Sequence, residues 1–247
     1  MVKKVYIRNS EIPVLSKSVA CIGYFDGMHK GHQELIKKTV EISRKMNLIP
    51  SLICFSPDPV EVINAKETTH IFPDEERYRL AEYFGIEIII IIEFSETLMK
   101  LKAKDFINQY LNRMNIETLV CGYDFSFGYK GSGKTADLKK GKFETVIIPE
   151  KTYFVKKISS SRIKEEISEG NFNLVRKLLG FDYYLVLKVL KSSQNGSKWL
   201  IEAKPKDSKC ILPKDGVYND LFEIKNNHVF FINDKELKKN SIYILEI

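Results

Sequence analysis

The fold is decided by the stretch from Gly23 to Gln33, which reads Gly-Tyr-Phe-Asp-Gly-Met-His-Lys-Gly-His-Gln. It follows an apolar run at 19–22 and leads into residues 35–46, where apolar side chains recur at helical spacing. The pattern therefore predicts a turn between a strand and a helix. Such a turn gathers unpaired backbone N–H groups at the positive end of a helix dipole, so it favours the binding of a polyphosphate.

The residue types in this turn strengthen the hypothesis of a phosphate site. Its three glycines let the main chain approach a ligand closely, and His29 and His32, three residues apart, can both lean toward a bound anion. A second interpretation stays open, because a histidine at a helix start is often a surface or capping residue. Glycines that follow strands are also common in α/β proteins.

Strands and helices alternate along the first part of the chain. The apolar runs predict strands at 19–23, 49–55, 86–92, 118–122 and 145–148, with helices from about Asp74 to Gly85 and from about Ala103 to Met114. Such alternation predicts an α/β fold with a doubly wound parallel sheet. Ligands of these sheets bind beyond the carboxyl ends of the strands where the strand order reverses, and the histidine turn is expected there.

The pattern changes in the last third of the chain. Residues after Arg162 are helical in pattern, with Gly170 and Gly180 as expected ends. Short strands follow at 183–190, 199–203, 217–224, 229–232 and 242–247, separated by turn signals. We therefore expect two domains, residues 1–181 and a small antiparallel β-barrel-like or sandwich domain at 182–247.

Composition bounds the class of protein. The formal charge of +7 comes from lysines scattered along all 247 residues, which favours anionic small substrates over nucleic acid. The longest apolar stretch, Ile86 to Phe94, contains two glutamates and is too short to cross a bilayer. With no signal peptide at the start, we expect a cytoplasmic protein and favour a monomer. The four cysteines form no Cys-x-x-Cys pair, so reduced thiols are expected.

The segment from Gly128 to Thr135 matches the P-loop pattern Gly-x-x-x-x-Gly-Lys-Thr. A P-loop requires a strand directly before its first glycine and a long helix that begins at the Lys-Thr pair. Here the predicted strand ends near Gly122, and the residues after Thr135 reach Gly141 within about two helical turns. We interpret the match as coincidental.

Four segments carry a resemblance to a known family. Phe25–His32 is similar to the signature Phe-Asp-Gly-x-His-x-Gly-His, and Phe55–Pro59 is similar to Phe-x-Pro-His-Pro. Gly122–Gly128 is similar to Gly-x-Asp-Phe-Arg-Phe-Gly, and Ile158–Ile163 resembles Ile-Ser-Ser-Thr-Arg-Ile. These are the motifs, in order, of bacterial FAD synthetases in the nucleotidylyltransferase superfamily. The chain resembles that family from about residue 19 to 180.

The resemblance implies an FMN adenylyltransferase with a nucleotidylyltransferase Rossmann-like fold. Its substrates would be ATP, with Mg²⁺ bridging the phosphates, and FMN, and its products FAD and pyrophosphate; the protein ligands of the metal are unknown. Three residues would be catalytic: His29, His32 and Arg162. The binding residues that the family's motifs imply are Gly23, Phe25, Asp26, Gly27, Gly31, Phe55, Pro57, Pro59, Asp124, Phe125, Ser159, Ser160 and Ser161.

The chain departs from the family's pattern at several points. Tyr24 replaces an Asn, Asp58 a His and Ser126 an Arg, which predicts weaker flavin binding unless Lys130 or Lys134 compensates. Bacterial relatives often carry a riboflavin kinase barrel with a Pro-Thr-Ala-Asn segment, and residues 183–213 contain none. We therefore expect a reduced domain without kinase activity.

Three alternatives remain open beside an FAD synthetase without kinase activity. The protein is a bifunctional enzyme with residual riboflavin kinase activity, a nucleotidylyltransferase for a phosphate other than a flavin, or a flavin-binding protein without catalysis. The second alternative requires His29, His32 and Arg162 but not the loop at Asp124. In the third, the change of His29 to alanine has no effect on function.

Overall fold

The computed structural model describes residues 2–9 and 11–247, and its packing groups them into two compact units. The first unit contains Met1–Thr68 and Arg77–Lys157, and the second contains Thr69–Glu76 and Ile158–Ile247. The second unit is larger than the β domain expected at 182–247, because it also includes the two helices that precede that segment. The domain division at 181/182 remains a prediction.

The elements before residue 158 alternate in type. The strands are β1 Lys3–Ile7, β2 Ser18–Ile22, β3 Ile49–Ser56, β4 Ile88–Glu93, β5 Ile116–Gly122, β6 Ser126–Phe127, β7 Gly133–Lys134, β8 Glu144–Ile148, β9 Thr152–Tyr153 and β10 Lys156–Lys157. The α-helices are α1 Lys30–Met46, α2 Pro59–Asn64, α3 Asp74–Tyr83, α4 Glu96–Met99 and α5 Ala103–Gln109. Short 3₁₀ helices lie at Asp26–Met28, Leu111–Arg113, Tyr129–Gly131 and Thr135–Lys140.

Six of these strands form a parallel sheet in the order β1-β4-β3-β2-β5-β8, which confirms the doubly wound fold. After β2 the chain adds β3 and β4 on one side and later returns to add β5 on the other. The strand order therefore reverses between β2 and β5. The loops that leave these two carboxyl ends begin at Gly23 and Tyr123, at the position where such sheets bind ligands.

Four of the five strands predicted from apolar runs before residue 158, β2 to β5, are largely buried, whereas β8 at the sheet edge has no buried residue. Every residue of β2 is buried, as are the five consecutive isoleucines of β4. The edge strand β1 was not predicted, because its sequence Lys-Lys-Val-Tyr-Ile mixes polar and apolar residues and only Ile7 is buried. The two hairpins β6–β7 and β9–β10, with strands of two residues each, were also not predicted.

The two predicted helices begin where the sequence indicates, but one of them ends earlier than predicted. The helix predicted at 103–114 is wrong in length, since α5 ends at Gln109 and a separate 3₁₀ turn follows. The backbone at Tyr110 leaves helical geometry, with φ −113° and ψ −72°. The predicted ends at Gly85, Gly170 and Gly180 are confirmed, because all three adopt the left-handed conformation that glycine tolerates best.

The second unit contains two further helices and six strands. Its elements are α6 Ser160–Ser168, α7 Phe172–Leu179, β11 Tyr184–Asn195, β12 Lys198–Pro205, β13 Gly216–Tyr218, β14 Phe222–Lys225, β15 His228–Asn233 and β16 Ile242–Glu246. The strands form a curled antiparallel half-barrel in the order β13-β14-β15-β12-β11-β16, which confirms the expected β-barrel-like architecture.

The single strand predicted at 217–224 is wrong. β13 and β14 pair as a hairpin instead, with Tyr218 opposite Phe222. Asn219 and Asp220 form the turn with φ of 50° and 53°, and Leu221 donates its backbone N–H to the Tyr218 carbonyl at 2.9 Å. Asn and Asp tolerate this left-handed conformation, which explains why a continuous run of residues reverses direction here.

Among the described residues no disulfide joins any of the four cysteines, which agrees with the expectation of reduced thiols. Cys21, Cys54 and Cys121 are buried in the central strands, and burial raises the pKa of the Cys21 thiol to about 12. Within residues 2–9 and 11–247, no helix has the length and hydropathy that a membrane crossing requires.

Candidate functional site

The turn after β2 is a tight elbow with unusual backbone geometry. Phe25, Gly27 and Met28 all have positive φ, at 62°, 78° and 46°. Phe25 and Met28 are completely buried, so their side chains fix a conformation that costs free energy for residues other than glycine. We call residues Gly23–His32 the histidine elbow.

His29 lies within the elbow and caps helix α1. Its Nδ1 accepts a hydrogen bond from the backbone N–H of His32 at 3.3 Å, and the two imidazole rings stack with centroids 3.6 Å apart. Because Nδ1 is an acceptor, the proton of the neutral ring is on Nε2. A Cβ at Gly31 would come within 3.1 Å of the His29 ring, which explains the need for glycine at that position.

Both histidines are neutral at pH 7. Burial lowers the pKa of His29 to about 4, and the charge of Lys157 acts in the same direction. Burial also lowers the pKa of His32 well below its usual range, with further contributions from His29 and Arg77. The pair therefore carries no positive charge of its own. Nδ1 of His32 is buried and has no hydrogen-bond partner among the described residues.

The loop after β5 brings Asp124 and Lys157 to the same edge of the sheet. Asp124 forms an ion pair with Lys157 on β10, and the Lys157 ammonium lies 5.2 Å from the centroid of the Tyr123 ring. Both charges are close enough to His29 to affect its pKa. The Asp124 carboxylate is exposed, and Lys157 is its partner.

Next to this loop lies an apolar cavity of about 170 Å³. Three of the candidate flavin residues, Phe55, Pro59 and Phe125, contribute to its lining, but Pro57 does not. Phe125 stacks on Phe127 with ring centroids 5.6 Å apart. The complete lining consists of Phe55, Pro59, Ile63, Phe94, Leu98, Met99, Phe106, Phe125, Ser126, Phe127, Gly128 and Gly131. No lining residue is charged, which suits a flat apolar ring system.

Two of the departures from the family's pattern have structural explanations. Asp58 caps α2, where its carboxylate accepts hydrogen bonds from the Val60 backbone N–H at 2.9 Å and from the Thr68 hydroxyl at 2.8 Å. Ser126 lines the apolar cavity. Of the two lysines that the sequence suggested as compensating cations, Lys134 lies opposite Ser126 in the hairpin, and the ammonium of Lys130 lies over the Tyr129 ring. Whether either compensates stays a prediction.

The segment that matches the P-loop pattern is the β6–β7 hairpin. Gly128 and Gly133 pack against Ala103 at the start of α5, where a Cβ on either would lie within 2.7 Å of Ala103 atoms. The Lys-Thr pair is followed by a 3₁₀ helix of six residues, too short for a P-loop helix. The interpretation of the match as coincidental is therefore confirmed, and close packing accounts for these two glycines.

The remaining candidates, Ser159, Ser160, Ser161 and Arg162, belong to the second unit. Ser159 caps α6, since its hydroxyl oxygen accepts a hydrogen bond from the Arg162 backbone N–H at 3.3 Å. Ser160, Ser161 and Arg162 form the first turn of this helix, and helix starts favour anions. That these residues bind the same nucleotide as the histidine elbow stays a prediction.

Comparison with known proteins assigns the family. A family model described as FAD synthetase matches residues 11–162, more than half of the chain. The chain belongs to the FAD synthetase family. Every candidate site residue lies inside the matched range, from Gly23 in the elbow to Arg162 on α6.

The relatives of this chain differ in the fraction of their own length that aligns with it. The bifunctional riboflavin kinase/FMN adenylyltransferase of Listeria monocytogenes is 30% identical over 213 residues, 83% of this chain and 68% of that protein. The corresponding protein of Bacillus subtilis is 33% identical, over 73% of this chain and 59% of that protein. The FAD synthetase of Listeria monocytogenes is 31% identical over 220 residues, which make up 85% of each chain.

One solved structure has the same fold over the whole length of this chain. It is a crystal structure from Streptococcus pneumoniae described as a macrolide-efflux protein, with 27% identity and a TM-score of 0.85. The similarity covers 100% of this chain and 90% of that chain.

Sequence reasoning missed two basic residues of this site. Lys157 pairs with Asp124 across 33 residues, and Arg77 on α3 donates to the Tyr24 carbonyl across 53 residues at 2.7 Å. Lys157 and Arg77 do not belong to a local sequence motif, because the residue that each one contacts is distant in the chain. The signal that was available for Lys157 is its position directly before the Ile158–Ile163 motif.

Proposed function

We propose that the protein transfers AMP from MgATP to FMN, forming FAD and pyrophosphate. In this reaction an oxygen of the FMN phosphate attacks the α-phosphorus of ATP, and the bond from that phosphorus to the pyrophosphate oxygen breaks. Transfers of this kind depend on positioning and on neutralising charge, without covalent catalysis. The observation that carries the proposal is that one loop, Tyr123–Phe127, supplies both Asp124 near His29 and a wall of the apolar cavity.

The histidine elbow is proposed to bind the phosphates where charge develops. Nε2–H of His29 and the first free backbone N–H groups of α1 are donors aimed at an anion, since Nδ1 of His29 is already used as the cap. These donors are uncharged, and they stabilise the negative charge that develops on the departing pyrophosphate through hydrogen bonds. His32 supports His29 by stacking against its ring.

Two groups of cations are proposed to act on the phosphates. Lys157 lies beside Asp124 at the end of β5, within electrostatic reach of His29. Arg162 and the serines at 159–161 are proposed to hold the β- and γ-phosphates, because a helix start with hydroxyl donors and a guanidinium suits them. Mg²⁺ enters with ATP as part of that substrate, bound by phosphate oxygens together with several water molecules.

The flavin is proposed to bind in the apolar cavity with its ring against Phe125 and Phe127. The cavity lining contains no charged residue, which suits the hydrocarbon edge of the flavin ring. The charged phosphate of FMN is proposed to lie outside the cavity, near Lys157 and its partner Asp124. Ser126 gives this wall one hydroxyl group where the family's motif has an arginine.

We propose that the protein does not phosphorylate riboflavin. Residues 183–213 form mainly the β11–β12 hairpin and contain no Pro-Thr-Ala-Asn segment. A cytoplasmic location, a monomeric state and the absence of nucleic-acid partners are part of the same proposal. What supports them is that the described cysteines form no disulfide and that the lysines are scattered along the chain.

The experiment is to incubate the protein with MgATP and either FMN or riboflavin and to separate the flavins by chromatography. We expect FAD from FMN and no FMN from riboflavin. His29→Asn retains a side chain that caps α1 but removes the Nε2–H donor, and we expect kcat to fall by about 100-fold. His228→Asn on β15 is the matched control and should leave kcat unchanged. Unaltered FAD formation by His29→Asn would contradict the proposed role of the elbow.

A further inference from the structure

Arg77 on α3 is a buried guanidinium beside the histidine elbow. It is 4% exposed, its Nη1 donates to the Tyr24 carbonyl at 2.7 Å, and its central carbon lies 4.4 Å from the centroid of the Tyr24 ring. Transfer of a guanidinium group from water to the protein interior costs free energy unless the surrounding groups compensate. The buried position of Arg77 therefore calls for a structural or functional explanation.

The hydrogen bond holds the elbow at the start of its strained segment. Phe25 and Met28, which follow, have positive φ although they are not glycines. Such residues persist only when the surrounding structure fixes them. At the other end of the segment, Nε2 of Gln33 donates to the Met28 carbonyl at 2.8 Å. Side chains from two different helices, α3 and α1, therefore clamp the carbonyl groups on either side of the bend.

The positive charge of Arg77 also acts on the histidine pair. It is close enough to His32 to lower the pKa of that imidazole, in addition to the effect of burial. The groups around the pair are His29 and Arg77 next to His32, the Phe25 ring at 5.2 Å from it, and Lys157 with Asp124 next to His29. Arg77 thus contributes to keeping His32 in its neutral form.

We propose that Arg77 is a positioning residue for adenylyl transfer: it fixes the elbow through the Tyr24 carbonyl, so that the imidazoles and the start of α1 meet the nucleotide phosphates in one geometry. The proposal rests on the proposed function. Arg77 acts through the elbow, by its contacts with Tyr24. No motif in the sequence signalled this residue, because its partner Tyr24 is 53 positions away in the chain.

The test compares Arg77→Met, Arg77→Lys and the matched control Arg79→Met. Arg79 is an exposed residue on the same helix. Methionine keeps much of the arginine's length but removes the charge and the donor, and we expect kcat for FAD formation to fall about 100-fold, the effect of a small displacement of catalytic groups. The KM for FMN should stay within about twofold, because other loops form the flavin cavity. Arg79→Met should match the wild type.

The pH profile distinguishes positioning from a general loss of folding. Without the charge at 77 the pKa of His32 rises, so the acid limb of the kcat profile should move to higher pH in Arg77→Met. Arg77→Lys restores the charge, so its acid limb should stay at the wild-type pH. Its kcat should still be lower than that of the wild type, because an ammonium group cannot reproduce a planar donor stacked on the Tyr24 ring.

Two results would overturn the proposal. One is a kcat and an acid limb in Arg77→Met that equal those of the wild type; the other is a loss of kcat that Arg79→Met shares. If Arg77→Met does not fold, Arg77→Lys decides: a wild-type kcat rejects positioning, and a lowered kcat with unchanged KM for FMN supports it. A wild-type protein that forms no FAD would instead overturn the proposed function, which separates the two failures.

Discussion

The imidazole rings of His29 and His32 stack face to face, with centroids 3.6 Å apart and 14° between their planes. Two protonated rings in this contact would repel each other strongly, and burial adds to the cost of either charge. The geometry thus favours a neutral pair of donors at the start of α1. This contact is the centre of the account, and it has consequences for stability as well as for catalysis.

The stability of the protein should fall as the pH drops through the acid range. In the unfolded chain His29 binds a proton below its usual pKa of 6.5, whereas in the folded protein it does so only below about 4. The unfolded state therefore binds more protons between these values, and the free energy of unfolding decreases as the pH falls. From pH 6.5 to 5 we expect His29 to account for a loss of about 2 kcal/mol.

Urea unfolding at pH 6.5 and 5 measures this effect. His29→Asn is the comparison, because it keeps the helix cap and lacks the titrating group. The wild type should lose about 2 kcal/mol more than the variant over this interval. Equal losses in both proteins would show that His29 is not held neutral by the fold.

Replacement of Phe125 by alanine should weaken FMN binding about 10-fold. The ring stacks on Phe127 in the cavity wall, and such an aromatic contact with a ligand ring is worth about 1–2 kcal/mol. Phe154→Ala is the matched control, since Phe154 is 83% exposed at the tip of the β9–β10 hairpin. Quenching of flavin fluorescence gives both affinities. Similar affinities for the two variants would place the flavin outside the cavity.

Ser126→Arg should tighten FMN binding about 3-fold to 10-fold, because it adds a cation at the rim where the phosphate is proposed to lie. Ser132→Arg adds the same charge to an exposed position in the same hairpin and should have no effect on affinity. The measurement is again a fluorescence titration. If Ser126→Arg binds FMN no more tightly than the wild type, the proposed orientation of the flavin phosphate is wrong.

Replacement of Lys134 and of Lys157 distinguishes a phosphate site at the P-loop pattern from the phosphate site proposed here. Lys157→Ala removes the partner of Asp124 and should lower kcat/KM for ATP about 10-fold, as expected for loss of a charge near phosphates. Lys134→Ala should leave it unchanged, although Lys134 is the lysine of the pattern. Steady-state kinetics with varied ATP test both variants. The reverse outcome, with Lys134 essential, would restore the P-loop hypothesis.

The sequence predicted those parts of the fold that depend on continuous or periodic patterns. Buried runs such as β4 and the apolar face of α1 are local signals, and the histidine turn between strand and helix was found from them. Strand β1 and the turn at Asn219–Asp220 were missed because their patterns are mixed: one is an exposed edge and the other is a reversal inside an apolar run.

The site was predictable to the extent that its residues occur in motifs. His29, Phe55 and Asp124 were found in this way, whereas Arg77 and Lys157 act on partners far away in the chain and have no local signal. The interpretation of Asp58 also depended on the structure. A loss of a cation was inferred from the motif, but Asp58 is a helix cap that holds Thr68.

The most direct test of the central claim follows the phosphorus atoms of ATP. The protein is incubated with FMN or riboflavin and with ATP that carries a radioactive label on either the α- or the γ-phosphate, and the flavins are separated. We predict that the α-label appears in FAD, that the γ-label appears only in pyrophosphate, and that riboflavin acquires neither. Transfer of the γ-label to a flavin, or no label in FAD, would contradict the account.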